Sequence, residues 1–277
     1  MLRKKLLVGG IAIIVIALLW FLPRVVVDNE GRDNNLEARQ ESTSLAEADL
    51  AAGTPHLPEV SEDAQVRIAR LRENYRNYQN TKKSATFADS LISVYAQNRW
   101  YDSAAHYAEQ LARAEPSEER QENAFNMYYE AFTLALDENK ARLLGEKVRY
   151  YGEAILAQRP ADRDAKAKMA MTFLTTTEPM KGIMMLREVV EEAPDNELAQ
   201  YNLGLLSIQS QQYDKAVDRF EKVVRLNPEH LQAQFFLGVS YFESGDRKKA
   251  RKQFKRVKTL SDDPEVLANA DEYLNKL

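Results

Sequence analysis

The stretch YNLGLL, Tyr201 to Leu206, returns in altered form as FFLGVS, Phe235 to Ser240. Both place a glycine inside an apolar run, and the two glycines, Gly204 and Gly238, stand 34 residues apart. The same interval separates Ala216 from Ala250, Phe220 from Phe254 and Val223 from Val257. One step back along the chain, Ala170, Gly182, Leu186 and Val189 fill the matching slots. Pro160, Pro194 and Pro228 keep the interval too. Three consecutive units therefore share one order: small, small, large apolar, apolar, proline.

Each unit holds two helical patterns. In ELAQYNLGLLSIQSQ (197–211) and DKAVDRFEKVVRLNP (214–228) the apolar residues recur at steps of three and four. Two helices joined by a short turn make a hairpin. Small residues are expected where the two cross closely, which explains why a glycine is tolerated despite a helix penalty of about 1 kcal/mol. The proline ends the second helix, since it cannot continue the hydrogen-bond ladder.

A helical hairpin of this length with these positions resembles the tetratricopeptide repeat, or TPR. Leu203-Gly204 and Leu237-Gly238 supply its Leu-Gly pair, Tyr241 the aromatic after it, and Tyr213 to Ala216 (YDKA) and Tyr101 to Ala104 (YDSA) its inter-helix turn. Five units are expected, starting near Ala85, Glu119, Arg163, Glu197 and Leu231. Pro116 and Pro160 are 44 residues apart, so the second unit should have longer helices or a bent junction. The expected fold is all-α: about five hairpin repeats over 85–264, a capping helix in 61–84 and another in 265–277. The repeat-packing set is Ala170, Gly182, Leu186, Gly204, Ala216, Phe220, Gly238, Ala250 and Phe254.

The first sixty residues read differently. Residues 1–5 include Arg3, Lys4 and Lys5, and residues 6–22, Leu6 to Leu22, carry no charge. At 1.5 Å per residue that run spans roughly 26 Å, enough for a thin bilayer. The preceding cations would hold this end in the cytoplasm and send the rest across. A cleaved signal peptide competes with an uncleaved anchor. The anchor is the better reading, because WFLPRVVVD (20–28) offers no small-residue cleavage site. Residues 23–60 follow as an acidic linker. From Asp28 to Asp63 there are ten acidic residues and two basic ones, a composition that cannot bury enough surface to order itself. A spacer with a reach on the order of 30–40 Å is expected, with acidic recruitment as the alternative.

Chemistry-bearing motifs are missing from the sequence. With no cysteine among 277 residues, thiolate catalysis and Cys-based zinc sites are excluded. His56, His106 and His230 are scattered without ligand spacing. No nucleophile elbow, phosphate-binding glycine loop or dinucleotide fingerprint occurs. The expectation is no enzyme, no cofactor and no metal, and the net charge of −4 argues against a nucleic-acid partner. Arg247 to Lys258 packs eight basic residues into twelve, with Ala250, Phe254 and Val257 at the core positions among them. That helix is either simply solvated or faces an acidic protein or anionic lipid.

The resemblance implies a peptide groove lined by the first helix of each repeat. Carried over residue by residue, it comprises Ala167, Met171 and Leu174 in the third unit. The fourth gives Tyr201, Leu205, Ile208 and Gln209, and the fifth Phe235, Val239, Phe242 and Glu243. The first unit instead presents Asp89, Ser93, Ala96 and Gln97. Of a carboxylate clamp only Lys168 and Asn202 are present, in the wrong order. An apolar strip with a polar edge suits an amphipathic helix or unfolded segment, unless the protein's own chain or a second copy covers it. The layout is similar to single-pass, periplasm-facing TPR accessory proteins of the bacterial inner membrane. That likeness implies a scaffold or holding factor for envelope or translocated proteins, and the alternative is a structural subunit of a homo-oligomer or fixed envelope complex.

Overall fold

The structure is a computed structural model that describes residues 61–78 and 81–277. The expected anchor at 6–22 and linker at 23–60 lie outside the described residues. Among those described there are twelve α-helices and no strand. They are α1 (Glu62–Asn77), α2 (Lys82–Gln97), α3 (Tyr101–Ala114), α4 (Glu118–Thr133), α5 (Glu138–Gln158), α6 (Arg163–Phe173), α7 (Pro179–Glu192), α8 (Glu197–Gln209), α9 (Tyr213–Leu226), α10 (Leu231–Glu243), α11 (Arg247–Leu260) and α12 (Pro264–Lys276). No described helix is long and apolar enough to cross a membrane. The chain divides into two compact units at Leu186, within α7.

In the unit ending at Met185, neighbouring helices pack in chain order. Ser61 caps α1 by accepting from the Ala64 N–H, and α1 buries Ile68. Tyr75 of α1 meets the Tyr107 ring edge-on at 5.3 Å, and Tyr107 stacks on Tyr95, which stacks on Trp100. An aromatic column thus seals the first hairpin, α2–α3. The long interval between Pro116 and Pro160 is absorbed by α5, which runs 21 residues against 14 in α3. At Gly152 a Cβ would sit 2.5 Å from Met169, so the methionine of α6 presses directly on the backbone of α5 at this glycine.

The unit beginning at Leu186 shows why the interval recurs. An added Cβ at Gly204 would lie 2.8 Å from the Phe220 ring, and at Gly238 2.9 Å from the Phe254 ring. Each glycine makes room for the phenylalanine of its own hairpin. Both rings, with Ala216, Ala250, Val223 and Val257, are fully buried. A polar device repeats at the same interval. Gln200 donates to the Pro194 carbonyl and Gln234 to the Pro228 carbonyl, both at 2.7 Å. Their own carbonyl oxygens accept from Arg219 and Gln253. The buried amides are thereby satisfied and tie each repeat to the proline turn before it. Asn196 and His230 cap α8 and α10 from equivalent positions, as Asp162 caps α6 in the other unit.

Candidate peptide-binding surface

The surface is built from the first helices of the hairpins, taken one unit at a time. On α6, Ala167 is fully buried and Met171 half-buried. Leu174 caps the helix and lies 3.0 Å from where a Cβ on Gly182 would stand, so it fills its own hairpin. Lys168 donates to Asn126 at 2.7 Å and lies over the rings of Phe125 and Tyr129. It is held internally, not offered to a carboxylate. Polar groups dominate the other first helices of this unit. Asp89 of α2 pairs with Arg120, and Gln97 donates to Ser93. On α4 an open hollow of about 520 Å³ is lined by Glu118, Glu119, Glu122, Asn123 and Asn126. Arg159 pairs with two of these carboxylates, at 3.1 Å from Glu118 and 2.8 Å from Glu122. Sequence reading missed this hollow; three carboxylates and two amides on successive turns of α4 were its signal.

In the other unit the apolar positions are real but more committed to packing. Tyr201 stacks on His230 at 5.0 Å and meets Phe220 and Phe236 edge-on. Burial pushes its hydroxyl well above the ordinary tyrosine range. Leu205 and Ile208 are half-buried against the α9–α11 core, and Gln209 is half-buried beside them. Asn202 is buried and donates to the Leu198 carbonyl at 2.7 Å. On α10, Val239 is buried. Phe235 and Phe242 lie edge-on to Tyr273 of α12 at 5.9 and 5.4 Å. Tyr273 also stacks on Phe254 at 4.7 Å. The last helix therefore covers the part of the strip that Phe235 and Phe242 were expected to offer a ligand. What stays partly open is Leu205, Ile208 and Gln209, with Phe242 half-buried and Glu243 exposed.

One titratable cluster needs separate treatment. Glu109 of α3, its side chain 12% exposed, accepts from Lys147 and Arg113 at 2.7 Å each and from the Tyr128 hydroxyl. Burial pushes its pKa up, but the hydrogen bonds from Lys147 and Tyr128 and the charges of Lys147 and Arg113 together outweigh burial and hold it below the ordinary carboxyl value. The Tyr–Glu part of this cluster has a counterpart in the other unit, where Tyr241 donates to Glu221; Lys249 there lies 5.0 Å from the Tyr241 ring and approaches Asp246 at 3.5 Å instead of the glutamate. Each Tyr–Glu bond ties the second helix of one hairpin to the first helix of the next. Among the described residues no group of three metal-ligating side chains gathers.

These hairpins, with a glycine against a phenylalanine and a proline-bound glutamine, fit one repeat family. Residues 201–264 match the tetratricopeptide repeat model. The matched TPR segment runs from α8 to the start of α12 and contains Gly204, Phe220, Gly238 and Phe254. The crystal structure of a tetratricopeptide repeat protein from Parabacteroides merdae is similar over 87% of this chain and 85% of its own. The two share 14% identity with a TM-score of 0.53, a likeness of fold alone. A structure of MamA (41 to the end) from Desulfovibrio magneticus covers 64% of this chain and 94% of its own at 24% identity, with a TM-score of 0.44. No curated protein matches the chain. The TPR fold is that of a protein-interaction module, and no catalytic family is indicated.

Proposed function

We propose that this protein is a membrane-tethered binding module, a scaffold, accessory or holding factor for envelope or translocated proteins. The single observation that carries the binding surface is the partly open apolar strip of Leu205 and Ile208 on α8, edged by Gln209 and by Glu243 of α10. A strip of this kind suits one apolar face of a helix or an extended apolar segment, with the amide and carboxylate selecting polar neighbours. Tethering rests on Leu6 to Leu22 and the cations before it. A single span there would place the repeats on the periplasmic side of a bacterial inner membrane. The gain is one of local concentration, since the tether keeps the surface close to membrane-proximal chains.

A photo-crosslinking residue at Gln209 or Glu243 in intact cells tests the surface. Crosslinked polypeptides are expected from both positions and not from Asp218, an exposed residue on the second helix of the same hairpin. Equal capture from Asp218 removes the assignment. The second reading, a structural subunit, is favoured by Tyr150, Met180 and Met184, large apolar side chains left 67%, 57% and 64% exposed. Light scattering on the full chain in detergent separates the two. A monomer at high concentration excludes self-assembly.

A further inference from the structure

In α11 the buried stripe is Ala250, Phe254 and Val257, and every other face carries Lys or Arg with no acidic residue between Arg247 and Leu260. Some of these cations have local partners. Lys258 pairs with Asp271, Lys249 approaches Asp246, Arg247 donates to the Lys276 carbonyl and Arg256 to Thr259. Lys248, Arg251, Lys252 and Lys255 are different. They are exposed, and among the described residues none has a carboxylate within 4.0 Å. Their spacing of three, one and three residues sets them on one stripe, away from the buried face and roughly 10 Å long. Like charges at this spacing repel, and Lys248 sits in the first turn, where the helix dipole opposes a cation. Neither helix stability nor pairing with the described residues accounts for the stripe.

We propose that this stripe of α11 is a docking face for an anionic phospholipid surface. The face carries no apolar side chain. It lies in mid-helix, where backbone N–H groups are already bonded, so its donors are three ammonium groups and one guanidinium on an open face, with no pocket for a peptide side chain. What it offers is a row of positive charge on an open face, which matches the diffuse negative charge of a bilayer surface. The inference rests on the membrane-tethered reading, because the tether would hold α11 within reach of lipid. Contact would orient the α8–α12 unit at the surface by charge alone.

The chain has no cysteine, so Ser244→Cys gives a single labelling site beside α11. The labelled full chain is mixed with vesicles of phosphatidylcholine alone, or of phosphatidylcholine with phosphatidylglycerol, both bearing a headgroup acceptor dye. Flotation with neutral vesicles reports the anchor. The extra energy transfer on phosphatidylglycerol reports the stripe. An affinity gain on the order of 100-fold on the anionic vesicles is expected, abolished by high salt. It should also vanish when Lys248, Arg251, Lys252 and Lys255 are all changed to Gln. Equal transfer on both vesicles, or no response to salt, overturns the proposal. So does capture of the chain by poly-glutamate with no phosphatidylglycerol effect, which would reassign the face to an acidic polypeptide. Failure to float on neutral vesicles with a retained phosphatidylglycerol effect sinks the tether and keeps the stripe.

Discussion

Residue 211 shows how a repeat can tolerate an imperfect side chain. Gln211, two residues past the end of α8, has φ 57°, and the same slot one repeat later is Gly245 at φ 89°. A left-handed backbone costs a residue with a Cβ about 1 kcal/mol, and glycine nothing. Gln211→Gly is expected to raise the unfolding free energy by about 0.5–1 kcal/mol in urea titration, because the side chain is exposed and nothing is lost with it. Gly182 lies at the other extreme. A Cβ there would stand 2.4 Å from the Ala170 carbonyl oxygen, a backbone atom that cannot rotate away. Gly182→Ala should therefore destabilise by roughly 2–3 kcal/mol, despite alanine's better helix propensity.

At the scale of elements, two ties between helices make opposite demands on solvent. The Glu109 cluster joins α3, α4 and α5 through charge. Its carboxyl is held below the ordinary value of 4.5, so its contribution is present above that pH and is lost as pH falls through the folded value. The difference in urea midpoint between the parent and Glu109→Gln should thus be largest at neutral pH and shrink on acidification below about pH 4. The tie of α12 to α10 and α11 is apolar. Tyr273→Ala removes the ring that covers Phe235, Phe242 and Phe254, at a cost of about 3 kcal/mol, and should raise binding of an apolar dye. If dye binding does not rise, α12 is not what closes that face.

For the molecule as a whole, sidedness decides which partners it meets. A reporter that is active only outside the cytoplasm, fused after Leu277, is expected to be active. Activity should be lost when Arg3, Lys4 and Lys5 are removed and cations are placed after Leu22. An inactive fusion to the parent chain would remove the periplasmic assignment and, with it, envelope clients.

The sequence by itself determined the hairpins. A period of three and four residues and an interval of 34 are local facts, and they set out the hairpins from α6 to α11 and the small residues Gly204 and Gly238 inside them; that a phenylalanine ring fills the space beside each glycine came from the structure. Tertiary structure alone decided what lies over each face. It put Tyr273 across Phe235 and Phe242, turned Leu174 into its own hairpin, tied Lys168 and Asn202 to internal acceptors, and left Lys248, Arg251, Lys252 and Lys255 without a carboxylate partner among the described residues. Helical periodicity says which side of a helix is apolar. Which neighbour covers that side depends on contacts between residues far apart in the chain, and no spacing along one helix encodes them.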